Sequence, residues 1–226
     1  MRIPSNRAPS MRFRFLRFSV LCTVLSAAPV EAQPPERGDF RPSDLVELVR
    51  LDSTLHLDIR YATKDNFMKR PMYAEPRAFL QRPAAGALLR VHRKLRARGF
   101  GLLVLDAYRP WSVTKKFWDE TPPALHRFVA NPSKGSRHNR GCAVDCTLYD
   151  LRGGEEVRMP SAYDEFTARA SPRYAGGSPE ERGMRDLLRA TLETEGFTVD
   201  PGEWWHYDYR DWKHYRILDI PFTPLR

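Results

Sequence analysis

The sequence has 226 residues, 37 Lys and Arg against 28 Asp and Glu, a formal net charge of +9, and only three cysteines. That length makes one large domain or two small ones, able to bury a core without a disulfide scaffold. The charges are interspersed, with no basic block and no aromatic-basic motif, which argues against a DNA or RNA partner.

Residues 1–32 read as an export signal. Five arginines, Arg2 to Arg17, precede the apolar run "FSVLCTVLSAAPV" from Phe18 to Val30, and "VEA" before Gln33 has the spacing of a cleavage site. The run is too short for a stable membrane span, and no later segment is long and apolar enough to be one. Met11 offers a second candidate start. Without these residues 32 basic and 27 acidic side chains remain, and the net charge falls to +5.

Residues 33–44, "QPPERGDFRPSD", are Pro-rich and polar and predict a flexible lead-in to a single domain over 45–226. Leu55, Leu57 and Ile59 alternate with polar residues, predicting a strand that ends near Tyr61. "AGALLRVHRKLRARGF" predicts an amphipathic helix stopped by Gly99, and "FGLLVLDAYRP" a central buried strand opening into a site. Short helices are expected at 112–120 and 123–130. A longer helix follows from Pro179, with Pro and Glu in its first turn, and then an aromatic strand-like segment, "EWWHYDY". Strands and helices mixed without a regular βαβ rhythm point to an α+β fold.

The stretch "SRHNRGCAVDCTL", Ser136 to Leu148, admits three readings: metal site, disulfide hairpin or ordinary buried strand. If the chain is extended after Gly141, Ala143, Asp145 and Thr147 share one face, while Cys142, Val144, Cys146 and Leu148 share the other. The cysteines then behave as small buried hydrophobes too far apart to bridge. His138 lies seven residues before Asp145, with Gly141 between to let the loop fold back. His206 in "PGEWWHYDY" supplies a third nitrogen or oxygen ligand, and Glu203 stands three residues before it, after a Pro-Gly turn. Three protein ligands with an open fourth position is the layout of a catalytic zinc, with Glu203 as its base. Arg109 in "DAYRP" would steady a developing oxyanion, held by Asp106 or Tyr108. His56, His92, His126 and His214 fall outside these motifs and read as structural or surface residues.

Together these residues resemble the zinc D-alanyl-D-alanine dipeptidases, the family of the vancomycin-resistance dipeptidase, within the wider zinc D,D-peptidases. The similarity rests on S-x-H-x-x-G-x-A-x-D (Ser136, His138, Gly141, Ala143, Asp145) and E-x-W-H (Glu203, Trp205, His206). "YATKDNF" from Tyr61 to Phe67 and "DAYRP" narrow it to the dipeptidases. The resemblance implies a Hedgehog-like α+β domain with a central antiparallel sheet flanked by helices. It implies one Zn2+ on His138, Asp145 and His206, Glu203 as base, and Arg109 at the transition state. Asp164 falls where the family holds the substrate's amino group, and Ser136 and Tyr61 line the family's pocket.

The expected substrate is the small dipeptide D-Ala-D-Ala, cleaved outside the cytoplasm, in the periplasm or after secretion, in cell-wall peptide turnover. Destroying a cytoplasmic dipeptide pool, as resistance requires, does not suit an exported enzyme. The competing readings are a D,D- or L,D-carboxypeptidase acting on peptidoglycan stem peptides, and a non-catalytic zinc-containing cell-wall binding module. The second leaves Glu203 without a use.

Overall fold

The apolar run after Gly99 forms a seven-residue strand in the computed structural model, which describes Met1 and residues 32–225. The export signal expected over 1–32 lies, but for its ends, outside the described residues. In chain order the elements are β1 (Leu45–Glu47), α1 (Leu48–Leu51), β2 (His56–Leu57), β3 (Phe79–Gln81), α2 (Arg82–Arg96), β4 (Phe100–Asp106) and α3 (Trp111–Glu120), then β5 (Ala143–Asp150), α4 (Pro179–Glu193), β6 (Phe197–Val199) and β7 (His206–Tyr209).

Five strands make the main sheet in the order β2-β4-β5-β7-β6, with β1 and β3 paired in a small second sheet. The antiparallel expectation holds for every pair in the main sheet except β2 with β4, which run parallel at the edge. The strand expected to end near Tyr61 is also divided. Leu55 and Ile59 are buried as the alternation requires, but only His56 and Leu57 join the sheet, and a 3-10 turn takes Arg60–Ala62. The segment expected to be helical at 123–130 is a 3-10 helix over Pro123–Phe128.

Helices α2 and α4 cover one face of the sheet. In α2 the residues Ala84, Leu88, Val91 and Leu95 recur at helical spacing and are fully buried, and Pro83 sits in the first turn, where its missing N–H costs nothing. Helix α4 is capped by Ser178 and Glu181, each accepting from the other's backbone N–H. His92, within α2, is structural: it accepts from the Leu102 N–H at 3.1 Å and donates to Thr54 Oγ1 at 3.0 Å, tying the helix to β4. His56 stacks on Tyr149 and His126 on Trp118, both at 3.8 Å between centroids.

The segment 33–44 has no helix or strand, yet it is tethered rather than free. Glu36 takes a 2.6 Å salt bridge from buried Arg140 and a 2.7 Å hydrogen bond from the Ile217 N–H, and Arg41 pairs with Asp211.

The face of the sheet opposite α2 and α4 carries the polar residues. Strand β5 alternates as its sequence demands: Cys142, Val144, Cys146 and Leu148 join the core, while Asp145 points to the other side. A bulge in β4 between Val104 and Asp106 matters equally. By simple alternation Asp106 would follow Leu102 and Val104 into the core under the helices. The extra residue, Leu105, shifts the register so that Asp106 pairs with Asp145.

Candidate active site

The sheet register builds the candidate metal-binding cluster. Asp145 of β5 and His206 of β7 are direct cross-strand partners, so their side chains leave one face of the sheet side by side. His138 arrives from the loop before β5. Gly141 makes that approach with φ +65, and a Cβ there would come within 2.4 Å of Leu45. The left-handed backbone therefore favours glycine, and a Cβ would in addition press on the Leu45 side chain and the Gln81 backbone.

His138 Nε2, Asp145 Oδ1 and His206 Nδ1 form a triangle with edges of 3.2, 3.0 and 3.0 Å. Ligands placed tetrahedrally at the usual zinc distance lie about 3.3 Å apart. Both imidazoles are aimed by their other nitrogen. The Ala107 carbonyl, 2.6 Å from His138 Nδ1, can only accept, so Nδ1 carries the proton and the Nε2 lone pair faces the triangle. Asp208 accepts at 3.0 Å from His206 Nε2, directing Nδ1 inward, and Asp208 is itself paired with Arg137 at 3.3 Å. The donor set fits one metal ion of the kind that favours nitrogen and oxygen ligands.

The three side chains also shift one another's charge. Burial alone would raise the Asp145 carboxyl, but the two histidines outweigh it and hold it well below the usual carboxylate range. Burial would lower His206, and hydrogen bonds to Asp145 and Asp208 outweigh that and hold it well above its ordinary value.

Beside the triangle lies a cavity of about 210 Å³, lined by Tyr61, Arg109, Ser136, Asp164, Glu203 and His206 among others. All eight residues singled out in the sequence therefore converge on one place. Arg109 is held by Asp106, whose Oδ2 accepts from Nε at 3.0 Å and Nη2 at 2.6 Å. Tyr108 has no part in this, since its hydroxyl donates to the Ile220 carbonyl. The tyrosine that steadies the pair is Tyr73, which donates to Asp106 Oδ1 at 2.8 Å and carried no motif in the sequence.

Asp164 lines the same cavity. It sits in a turn at φ +56, its Oδ1 accepting from Tyr61 at 3.1 Å, while Oδ2 is buried and has no hydrogen-bond partner. Burial first, and then the Asp145 charge, push its carboxyl up to about 7. Glu203, in the turn before β7, is pushed up to about 8, chiefly by burial. Ser136 is buried and its Oγ accepts from the His138 N–H at 3.2 Å.

Residues 41–219 match the peptidase M15 family described as D-ala-D-ala dipeptidase. The chain belongs to that family. It is 35% identical over 185 residues to the D-alanyl-D-alanine dipeptidase of Enterococcus faecium, covering 71% of this chain and 90% of the relative. The corresponding protein of Enterococcus faecalis is 35% identical over 76% of this chain and 92% of its own. That of Escherichia coli is 29% identical over 80% and 92%. Among solved structures, the vancomycin-resistance D,D-dipeptidase VanXYg, in complex with a D-Ala-D-Ala phosphinate analog, superposes with a TM-score of 0.41 at 20% identity, over 61% of this chain and 53% of that one.

Three functional contacts of this dipeptidase-family site escaped the sequence motifs. Besides Tyr73, they are Tyr163, whose hydroxyl donates to Asp145 Oδ2 at 3.0 Å, and Asp208 behind His206. Asp208 alone had a local signal, because a residue two beyond a strand histidine shares its face. The cavity also has an aromatic wall: Phe67 packs on Phe117 and Phe166, and Phe128 stacks on Phe166 at 4.8 Å.

Proposed function

We propose that the protein hydrolyses the dipeptide D-Ala-D-Ala to two D-alanines, using one zinc ion held by His138, Asp145 and His206. The observation that carries this reading is the lone Oδ2 of Asp164. It is a buried acceptor without a donor, on a residue that lines the same small cavity as the three converged candidate ligands and Glu203. An unmatched buried acceptor costs about 1–3 kcal/mol, which a ligand ammonium would recover. A cavity of about 210 Å³ falls below the ~300–1,000 Å³ of pockets for drug-sized ligands and suits a dipeptide of small residues.

The substrate's amino group binds Asp164, and its positive charge draws that carboxyl, otherwise half-protonated near pH 7, into its ionised form. Bound zinc supplies Lewis-acid polarisation of the scissile carbonyl and acidifies water at the site. Glu203 takes the proton from the attacking water and delivers it to the leaving amine as the C–N bond breaks. A carboxyl pushed up to about 8 by burial suits both the taking and the giving near neutral pH. Arg109 is fixed before the substrate arrives by the Asp106 fork, so its guanidinium stabilises the oxyanion with little reorganisation. Ser136 and Arg137 line the cavity and offer donors to the substrate carboxylate.

The site lies in an exported chain on this reading, with 1–32 removed and the domain over 45–226 acting outside the cytoplasm in cell-wall peptide turnover. The composition of 1–32 supports export. No helix among the described residues is long and apolar enough to cross a membrane.

The test is D-alanine release by residues 33–226 from free D-Ala-D-Ala and from a stem pentapeptide ending in D-Ala-D-Ala, each with and without chelator. Chelator-sensitive cleavage of the dipeptide alone is expected. Cleavage of the pentapeptide would make the enzyme a carboxypeptidase, and inactivity on both substrates with metal bound would make it a binding module.

A further inference from the structure

We propose that Tyr163 is a positioning residue that ties the metal-binding carboxylate of Asp145 to the loop presenting Asp164. The inference rests on reading His138, Asp145 and His206 as metal ligands. Asp145 turns Oδ1 toward the two imidazole nitrogens, at 3.2 and 3.0 Å, and turns Oδ2 to the Tyr163 hydroxyl at 3.0 Å. Arg109 Nη2 is 3.9 Å from the same oxygen, outside hydrogen-bond range. Asp145 is 3% exposed, so solvent does not compete for Oδ2. The tyrosine hydroxyl thus decides which carboxylate oxygen faces the cluster, and keeps the second one from joining it.

The same side chain anchors the substrate loop. Its ring packs edge-on against Trp205, of the E-x-W-H segment, at 5.4 Å and against Tyr61 at 6.1 Å. Asp164, the next residue, holds a left-handed backbone at φ +56, a conformation open to aspartate more than to most residues and held in place here by its neighbours. Two tyrosines impose it here: Tyr163 fixes the loop to Asp145, and Tyr61 fixes the Asp164 carboxylate. Ligand placement and amino-group recognition therefore share one tether, two adjacent residues long.

The experiment compares Tyr163→Phe and Asp164→Asn with the wild-type protein. It reads zinc affinity by chelator competition, the visible spectrum of the cobalt(II)-substituted protein, KM and kcat for D-Ala-D-Ala, and thermal unfolding in excess chelator. Tyr163→Phe keeps the ring and is expected to weaken metal binding about tenfold. It should also lower the cobalt absorption as a second oxygen approaches, and raise KM severalfold. Asp164→Asn should raise KM while leaving metal affinity and spectrum unchanged.

Wild-type metal affinity and spectrum in Tyr163→Phe would overturn the proposal, as would a large drop in its metal-free melting temperature, which would make the hydroxyl a fold contact. A wild-type protein that binds no metal would instead overturn the ligand assignment. One that binds metal but leaves the dipeptide intact would overturn the function and leave the Tyr163 comparison readable.

Discussion

The two faces of β5 are built on opposite principles from one run of eight residues. Toward α2 and α4 the strand presents Val144, Cys146 and Leu148, all fully buried, and stability there comes from apolar area and close packing. Toward the cavity it presents Asp145, whose every contact is directional: two imidazoles, a tyrosine hydroxyl and a distant guanidinium. The first face tolerates substitutions that conserve volume. The second is specified atom by atom, and part of its chemistry is unmatched until metal and substrate arrive. The fold thus stores its stability on one side of the sheet and its reactivity on the other.

That division can be broken from either side. The largest effect belongs to the cavity face. Glu203→Gln should lower kcat by about 10²–10⁴ while zinc stays at one equivalent, measured by steady-state kinetics alongside metal analysis. Retained activity would remove Glu203 from the mechanism. Arg109→Ala should cost about 10²–10³ in kcat with a small change in KM, because the guanidinium acts on charge that develops in the transition state.

On the helix face the expectation reverses. Leu148→Ala should lower unfolding stability by about 2–5 kcal/mol in a denaturant titration and leave kcat/KM at 25 °C within a factor of two. A large loss of activity in the folded variant would show that the two faces are coupled.

Asp164 sharpens the comparison through pH. Its carboxyl is raised from an ordinary 3.8 to about 7 by burial, so the folded protein binds more protons than the unfolded chain between those values. Its stabilising contribution is fully present below about pH 4 and is lost as pH rises through 7. Metal-free Asp164→Asn should therefore gain stability over the wild type as pH rises from 4 to 7, by several degrees in Tm, whereas the metal-loaded variant shows a raised KM.

The smallest effect belongs to the cysteines. Both are free and buried, and burial raises both thiols well above their ordinary value. Cys146→Ala should cost about 1 kcal/mol and nothing in catalysis, and thiol reagents should label neither residue before unfolding.

Sequence alone determined much of this protein, because the information was local. Alternation along 142–148 separates the core face from Asp145, and the spacing of α2 and the Pro-Glu start of α4 place their helices. The two motifs carry all three proposed ligands and the proposed base. The family resemblance supplied roles for Asp164, Ser136 and Tyr61 that spacing did not.

Tertiary structure decided what depends on register and on contacts between distant segments. The bulge that turns Asp106 toward Asp145 leaves no mark in the run "FGLLVLD", which reads as unbroken strand. The parallel pairing of β2, too short to show a period, is likewise set by what lies beside it. Tyr73 reaches Asp106 across 33 residues and Tyr163 reaches Asp145 across 18, and nothing near either tyrosine announces its partner. The tether of residues 33–44 is of the same kind: a Pro-rich polar segment looks free until Glu36 meets Arg140, 104 residues on. Periodicity records which face a residue occupies, and only the packed chain records which residue it meets there.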